Sequence, residues 1–350
     1  MEFGLFCSAQ ANSGAFGPET GQGFRDYLEF NVEAEALGFH SSFLVEHHFT
    51  GWNQVSSTLM LLACLAMRTT TLRVGPAVMV LPWHNPVLLA EQAATLDLIS
   101  GGRFDFGIGK GYRHSEFNGF QIAPEEAQAR FDEAVEVMTR AFTTRQRFSH
   151  HGRFWHFEDI VVEPPPAQEP HPPFWVAAGS EASIRRAAAS GFNLILDQYA
   201  SAETLGARIG IYKAERDKHG LRFDPGQVVV ARQLYIARDE ADKQAALARQ
   251  AAYTQRTVDV SRRPDGQGAI KAGSQQGSHV LAYADGKGRT EENALYGTPD
   301  EIAAMLDDLR RAGVTYVLLT VAGGAPQLRR FANEIMPGFK SAASAAAAAE

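Results

Sequence analysis

The segment Glu46-His47-His48-Phe49 carries side chains that could do acid–base chemistry, and it directly follows the apolar run Phe43-Leu44-Val45. Such a run is typical of a buried strand, so the change to charged and aromatic side chains marks its carboxyl end. Reacting groups collect at the carboxyl ends of strands in α/β proteins. Because adjacent strand residues point to opposite faces, we expect only one of the two histidines to face a cavity. The alternative is a purely structural segment whose histidines bond to neighbouring loops.

A second group of residues could bind an anion. The run Gly179-Ser180-Glu181-Ala182-Ser183 follows a predicted strand and opens a predicted helix. Backbone N–H groups at a helix start, together with hydroxyl donors, favour a phosphate group. Lys110 would add a positive charge to this site. The alternative is that the serine only caps the helix and that Lys110 is a surface lysine.

The elements that must position these residues follow from the hydrophobic pattern. Strands are predicted over residues 3–7, 42–45, 72–81, 104–108, 174–178, 193–196, 228–236 and 316–321. Helices are predicted over residues 24–37, 56–67, 86–99, 125–143, 181–190, 202–219, 240–252 and 299–312. Strands that alternate with helices in this way are typical of parallel βα units.

Eight such units predict an α/β protein with a closed (β/α)8 TIM barrel. An open, doubly wound sheet is the structural alternative, and it normally has a glycine-rich dinucleotide-binding turn after its first strand. The glycines that follow the first strand here, Gly14, Gly17, Gly21 and Gly23, lack the G-x-G-x-x-G spacing. The sequence therefore favours the barrel.

Two stretches exceed what a minimal barrel needs. Residues 144–173 form an inserted excursion before the fifth strand, and Pro164-Pro165-Pro166 forbids helix there. Residues 255–296 are polar and rich in glycine, and they predict a mobile flap before the last βα elements, with a disordered insertion as the alternative. We expect one domain over residues 1–340 and a frayed, Ala-rich tail over residues 341–350.

Composition narrows the class of partner. The 350 residues carry a formal net charge of −7 and a pI of about 5.9, which disfavours general binding to nucleic acid or anionic membranes. Cys7 and Cys64 are too few for a disulfide framework. The chain begins with a strand-like run instead of a signal sequence, and no window is long and apolar enough to span a membrane. These features predict a cytoplasmic protein that acts on a small molecule.

Four histidines lie in the excursion at residues 144–173 and could in principle bind a metal ion. His150, His151, His156 and His171 lack the i, i+4 pair plus third ligand that is typical of zinc sites. We therefore predict a solvated or interface loop there, and no metal site.

The chain resembles the bacterial luciferase-like family of flavin-dependent monooxygenases. The resemblance is collinear over nearly the whole length and includes Leu-Val-Glu-His-His-Phe-Thr at 44–50 and Gly-Gly-Arg-Phe-Asp-Phe-Gly-Ile-Gly-Lys-Gly at 101–111. Further matching segments are residues 1–6, 75–82, 85–87, 177–180 and 297–299. The family's fold is a (β/α)8 barrel with a long insertion before its last βα elements, which agrees with the element pattern.

The resemblance implies a role for individual residues. His47 matches a general base or hydrogen-bonding histidine near the reactive edge of the flavin, and Glu116 matches an acidic residue of the pocket. Lys110 matches a residue that contacts the FMN phosphate. The remaining cofactor-binding matches are Ala178, Gly179, Ser180 and Ser183 around that phosphate, and Ala77 and Val78 at a non-proline cis peptide under the isoalloxazine.

Departures from the family pattern affect the substrate pocket. Gly109 replaces a reactive cysteine of the light-emitting catalytic subunit, which implies extra room near the flavin edge and disfavours light emission. Gln198 replaces a tryptophan that packs near the flavin. We expect Trp83 to line the substrate side of the pocket, with rim packing as the alternative. His48 is assigned to the pocket in a supporting role.

The resemblance implies a flavin-dependent monooxygenase of the two-component type. It would take reduced FMN from a separate NAD(P)H:flavin reductase, since the chain has no nicotinamide motif, and use O2 through a flavin hydroperoxide. The substrate would be a small, largely apolar molecule such as an aldehyde, ketone or sulfonate, and the assembly a homodimer. One alternative is a hydride-transfer oxidoreductase of the same fold that uses a deazaflavin or FMN. Another is a non-catalytic flavin-binding relative.

Overall fold

Parallel strands joined by helices form the core of the protein. The computed structural model describes residues 1–11, 17–261 and 293–340. The strands are β1 (Glu2–Cys7), β2 (Ser41–Leu44), β3 (Arg73–Pro76), β4 (Met79–Val80), β5 (Phe106–Gly109), β6 (Phe148–His151), β7 (His156–Ile160), β8 (Phe174–Ala177), β9 (Asn193–Leu196), β10 (Val228–Ile236), β11 (Leu295–Gly297) and β12 (Tyr316–Val321).

Helices follow the strands along the chain. They are α1 (Gln22–Ala36), α2 (Thr58–Arg68), α3 (Pro86–Ile99), α4 (His114–Gly119), α5 (Ala127–Thr143), α6 (Glu181–Ala189), α7 (Ala202–Lys218), α8 (Glu240–Ser261), α9 (Pro299–Arg311) and α10 (Ala325–Arg330). Their starts follow local chemistry, as in α3, where the Asn85 side chain accepts hydrogen bonds from the N–H groups of Val87 and Leu88 and Pro86 takes the first helical position.

The main sheet closes into a barrel. Its strands run in the order β3-β2-β1-β12-β10-β9-β8-β5-β4, and the pairs are parallel. β3 pairs with β2 and β4 pairs with β5, so these two short strands share one position in the wall. A parallel bridge between Val74 and Phe104 joins the two edges. The predicted (β/α)8 barrel is confirmed.

The excursion and the flap differ from their predicted outlines. Within residues 144–173, β6 and β7 form an antiparallel hairpin. The predicted bounds of the flap, 255 and 296, are wrong at both ends, because α8 continues to Ser261 and β11 begins at Leu295. Residues 262–292, which include a possible strand at 280–283, lie outside the described part of the chain, as does the tail at 341–350. The short helices α4 and α10 have no counterpart among the predicted elements.

The barrel interior is filled by side chains and closed at its amino-terminal end. Phe43 and Trp175 pack edge to face inside it, with ring centroids 5.8 Å apart. Below them, Nε and Nη2 of Arg73 donate to the two carboxylate oxygens of Asp105, each at 2.8 Å, and the Trp175 indole N–H also donates to Asp105. In the described part of the chain, this leaves the carboxyl ends of the strands as the open side of the barrel interior. Over the described ranges, no helix is both long and apolar enough for a membrane span.

Candidate active site

A cavity of about 380 Å³ lies at the carboxyl ends of the barrel strands. Its apolar wall includes Phe6, Val45 and Ile195. The predicted site residues that line it are His47, Ala77, Val78, Gly109, Lys110, Glu116, Ala178, Gly179, Ser180, Ser183 and Gln198. Residues from distant parts of the chain therefore meet at one surface, as the barrel topology requires.

His47 is held in place by Glu116. The Nδ1 atom of His47 lies 3.0 Å from Oε1 of Glu116, and this same oxygen accepts a hydrogen bond from the backbone N–H of His48 at 2.9 Å. An ionised carboxylate can only accept, so Nδ1 of His47 carries the proton and Nε2 is the basic nitrogen. Glu116 itself is buried on α4.

The surroundings of His47 keep its ring neutral. Burial lowers the pKa of His47 below its ordinary value, and the positive charge of Arg113 lowers it further. The hydrogen bond that His47 donates to Glu116 raises the pKa of His47 without overcoming the effect of burial. A neutral imidazole with a fixed tautomer can accept a proton near pH 7, which suits a general base.

Glu46 links the end of β2 to the end of β4. Its buried carboxylate accepts hydrogen bonds from the backbone N–H of Val80 at 2.6 Å, from Nε2 of His84 at 2.7 Å and from Nε2 of His48 at 3.3 Å. Burial alone would raise the pKa of Glu46, but these bonds together lower it to about 2. Glu46 is therefore an ionised anchor and not a proton donor.

His48 and Trp83 lie behind the cavity wall and not on it. The His48 ring packs edge-on against Phe120 at 4.9 Å, and Trp83 stacks on the same phenylalanine at 5.4 Å. Trp83 also packs against Phe117 at 4.6 Å. The expected opposite orientation of His47 and His48 is seen, with His47 facing the cavity. Trp83 follows the rim-packing alternative.

One end of the cavity is suited to a phosphate. Ser180 caps α6, its side chain accepting from the backbone N–H of Ser183 at 3.3 Å, and the two hydroxyl oxygens lie 2.8 Å apart. Nζ of Lys110 donates to Oε1 of Gln128 at 3.2 Å. Burial and the nearby charge of Arg186 lower the pKa of Lys110. Amide donors at a helix start, two hydroxyls and a cation form the donor set that a phosphate monoester needs.

Beside this anion-binding end, the cavity wall is close-packed at the turn between β3 and β4. The peptide bond between Ala77 and Val78 is cis, as the family resemblance implies. A Cβ atom added to Gly109 would lie 2.4 Å from Cγ2 of Val78. The expectation of extra room at Gly109 is therefore wrong, because the Val78 side chain fills the space that a cysteine would need.

The sequence pattern missed the roof of the cavity. Tyr253 and Thr257, in the carboxyl half of α8, both line it. The Trp52 indole N–H donates to Oγ1 of Thr257 at 3.2 Å, and the Arg256 guanidinium lies 3.9 Å from the centroid of the Trp52 ring. Tyr253 in turn accepts a hydrogen bond from the side chain of Asn53. These contacts hold α8 against the loop that carries His47. In the sequence, the aromatic residues Trp52 and Tyr253 are the only indication of this packing.

Polar side chains form the wall near β9. The Gln198 amide donates to the Tyr199 hydroxyl at 2.7 Å and accepts from the Gln233 amide at 3.5 Å. The Gln198 amide is therefore hydrogen-bonded to two neighbouring side chains of the cavity wall. Gln198 and Gln233 give this part of the cavity wall a polar surface.

The histidine-rich excursion lies apart from the cavity lining. Glu133 of α5 holds the β6–β7 hairpin, since its carboxylate accepts from His150 Nε2 at 3.2 Å and from the N–H groups of Phe154 and Trp155. His151 and His156 face each other across the hairpin. In the part of the chain that the structure covers, no three His, Cys, Asp or Glu side chains are grouped as metal ligands.

Comparison with known proteins identifies relatives. The family model of luciferase-like monooxygenases matches residues 1–316. An FMNH2-dependent dimethylsulfone monooxygenase of Pseudomonas putida is 25% identical over 326 residues, which is 87% of this chain and 85% of that protein. The oxygenase component of a flavin-dependent trigonelline monooxygenase from Acinetobacter baylyi is 27% identical over 226 residues, 64% of this chain and 62% of that protein.

Solved structures share the same architecture. Monooxygenase RslO1 from Streptomyces bottropensis has a TM-score of 0.81 and 27% identity, covering 97% of this chain and 100% of that one. An F420-dependent secondary alcohol dehydrogenase has a TM-score of 0.77 and 18% identity, covering 97% of this chain and 99% of that one. At 18% identity, this second likeness shows a common fold only.

Proposed function

The chain belongs to the family of luciferase-like monooxygenases, and from this premise we propose that it is an FMN-dependent monooxygenase that uses O2 to oxygenate a small organic substrate. The observation that carries the proposal is the neutral His47 imidazole, tethered by Glu116, on the wall of a cavity that Lys110, Ser180 and Ser183 also line. A positioned base in such a cavity suits a reaction in which a flavin supplies the redox chemistry and the protein handles the proton.

The cofactor would be held by residues at two places. Lys110, Ser180 and Ser183 would bind the phosphate of FMN, and the apolar wall with Ala77 and Val78 would face its ring system. When bound, reduced FMN supplies the electron pair that activates O2, so that one oxygen atom passes to the substrate and the other leaves as water. The FMN dependence named for the dimethylsulfone relative supports this choice of cofactor.

His47 would handle the proton. Its Nδ1 is occupied by Glu116, so Nε2 would accept a proton from the reacting group and return it later. Arg113 and the buried wall keep the ring uncharged between turnovers. Glu116 and Glu46 would act as positioning residues, because their carboxylates bond to the protein and not to the reactants.

Water exclusion would be the role of the α8 roof. Reactive oxygen chemistry is lost to side reactions when water enters, so a closed site is an advantage. The bond from Trp52 to Thr257 and the stacking of Arg256 on Trp52 hold the roof over the loop after β2. We infer that these contacts protect the reaction.

We also propose a separate NAD(P)H:flavin reductase as the partner. The trigonelline relative is named as an oxygenase component, which supports a two-component system. Cys7 and Cys64 are both free thiols, which agrees with a cytoplasmic location beside such a reductase.

A homodimer through α2 and α3 is part of the proposal. Large apolar side chains are exposed on these adjacent helices, with Met60 and Met67 of α2 exposed by 68% and 71% and Leu88 of α3 by 54%. Exposed apolar patches of this kind mark protein–protein contacts. The double variant Met60→Glu with Met67→Glu should sediment as a monomer in analytical ultracentrifugation, and an unchanged dimer in that variant would exclude this surface.

The decisive experiment is rapid mixing of the protein–reduced FMN complex with oxygen. A spectroscopic phase that precedes the oxidised-flavin spectrum, and that aldehydes, ketones or sulfonates shorten, would support the proposal. Isotope label from O2 in the product would establish oxygenation. His47→Ala should leave FMN affinity nearly intact and remove most turnover. Immediate reoxidation with every substrate tried would instead favour a non-catalytic flavin-binding protein.

The hydride-transfer alternative requires its own measurement. The F420-dependent dehydrogenase has the same fold, and a deazaflavin phosphate could use the same anion-binding end. Anaerobic titration with FMN and with a deazaflavin cofactor separates the two. Tighter binding of the deazaflavin, with hydride transfer to a ketone in the absence of O2, would replace the monooxygenase proposal.

A further inference from the structure

Arg113 is a buried cation on the cavity wall with few partners. It immediately precedes α4, and only 1% of the residue is exposed. Among the residues that the structure describes, its hydrogen bond is from Nη1 to Oγ1 of Thr50 at 3.3 Å, while buried Nε has no partner. A guanidinium carries five N–H donors, so most of its bonding capacity is unused.

The nearest carboxylate, that of Glu116, does not form a hydrogen bond with the Arg113 guanidinium. Oε1 of Glu116 lies 4.0 Å from Nη1 of Arg113, beyond hydrogen-bond distance, and already accepts from His47 and His48. The Tyr112 ring lies 6.0 Å from the guanidinium carbon and adds only a weak attraction. A buried charge with such incomplete pairing is costly unless a ligand completes it.

Arg113 lies close to His47, so a ligand bound to Arg113 would lie near the reacting group. Both residues neighbour the same carboxylate of Glu116, so they lie on the same side of the cavity. The phosphate-binding end has its own donors in Lys110, which follows β5 and bonds to Gln128, and in Ser180, which caps α6. The polar neighbours of Arg113 are instead Thr50 and Glu116. Arg113 and Lys110 thus have separate polar partners, which favours a second anion beside His47 in addition to the cofactor phosphate.

We propose that Arg113 binds the carboxylate of a small organic acid, and that this acid is the molecule oxygenated beside His47. The planar fork of arginine matches a carboxylate through paired hydrogen bonds. Tyr112, Tyr199 and Tyr253 line the same cavity and supply flat surfaces for an apolar or aromatic body. The inference rests on the proposed function for the fate of the acid, and on the described contacts for its binding.

The test compares isosteric pairs that differ only in charge. Isothermal titration of the protein, with and without oxidised FMN, uses acetate and acetamide, hexanoate and hexanamide, and benzoate and benzamide at one ionic strength. At least one acid should bind about tenfold more tightly than its amide, the ratio expected for one charge-assisted pair. Arg113→Met should reduce that ratio to about one, and Arg113→Lys should retain part of it. No preference for any acid in the unaltered protein overturns the inference, even if Arg113→Met fails to fold.

A matched control separates the two anion sites. Lys110→Met should weaken FMN binding and leave the acid-to-amide ratio unchanged. Loss of the ratio in Lys110→Met would place the acids at the phosphate end and overturn the inference. Weaker binding of reduced FMN to Arg113→Met, with an unchanged acid-to-amide ratio, would assign Arg113 to the flavin and also overturn it. Because no turnover is required, a failed oxygenation with an intact acid preference contradicts only the proposed function.

Discussion

One carboxylate oxygen of Glu116 joins His47 and His48 by accepting from the ring Nδ1 of the first, at 3.0 Å, and from the backbone N–H of the second, at 2.9 Å. This oxygen ties α4 to the loop after β2 and fixes the direction of the His47 ring. Two adjacent residues of one motif thus have separate roles, since His47 presents its ring to the cavity and His48 contributes its backbone to the anchor.

Glu116→Gln tests that anchor. An amide can accept from one N–H but presents its own NH2 to the other, so the His47 ring loses its fixed tautomer. We expect kcat to fall by about 10–100-fold, less than the roughly 100–10,000-fold that a lost acid–base group costs, because His47 itself remains, while FMN affinity stays the same. Steady-state oxygenation and flavin titration measure the two quantities. Glu125→Gln, at an exposed neighbouring position, is the control and should behave like the unaltered protein.

The acid limb of the pH profile reports the protonation of His47. Burial and the charge of Arg113 lower the pKa of His47, whereas Glu116 and Glu46 raise it less. Activity that needs the neutral ring should therefore fall only when pH drops through a value below the ordinary pKa of about 6.5. Arg113→Met removes a positive charge, so its acid limb should move to higher pH.

The profile of kcat/KM against pH, measured for both proteins, checks the direction of that shift. An acid limb at or above the ordinary histidine pKa, or a shift to lower pH in Arg113→Met, would contradict a base role for His47. The same sign applies to stability: a lowered pKa in the folded state means that protonation of His47 at acid pH favours unfolding.

The barrel was predictable from the sequence because its strands are buried on both faces. β10 and β12 each begin with an apolar run, Val228-Val229-Val230-Ala231 and Tyr316-Val317-Leu318-Leu319, and turn residues such as Asn85-Pro86 and Thr298-Pro299 mark the helix starts. The change from apolar to charged residues after β2 located the rim. These patterns lie within short segments of the sequence, so they can be recognised before the fold is known.

The rest of the site depends on contacts between distant segments. Nothing around Arg113 distinguishes a buried cation from an exposed one, because its burial comes from the packing of α4 over the cavity. The carboxyl half of α8 is polar and contains β-branched residues, so its helix depends on contacts such as Arg256 on Trp52. The expectation of extra room at Gly109 was wrong because the side chain that fills this space belongs to Val78, in the turn between β3 and β4.

Glu46→Gln should destabilise the protein in a pH-dependent way. The ionised carboxylate accepts three hydrogen bonds, and the amide would leave histidine donors facing its NH2 group. We expect a loss of about 1.5–3 kcal/mol in the free energy of unfolding at pH 7, the range for a bond to a charged group. Because the pKa of Glu46 is lowered to about 2, the carboxylate's contribution is fully present above its ordinary pKa of about 4.3 and is lost as pH falls through about 2.

Urea unfolding of both proteins between neutral and acid pH measures this difference. The gap between the unaltered protein and Glu46→Gln should narrow as pH falls. A gap that stays constant would show that the charge of Glu46 does not contribute. Glu136→Gln, at an exposed position of α5, is the matched control and should show no gap.

Gly109 and Val78 should behave as a coupled pair. A Cβ at position 109 would lie 2.4 Å from Cγ2 of Val78, so Gly109→Ala forces an overlap in a close-packed wall. We expect about 1–3 kcal/mol of destabilisation, typical of overpacking, and recovery of most of it when Val78→Ala is added. Gly210→Ala, in α7 where no atom lies within 4 Å of the new Cβ, should instead stabilise the helix slightly. A double-mutant cycle of unfolding free energies measures the coupling, and additive effects of the two substitutions would show that Val78 does not fill the space beside Gly109.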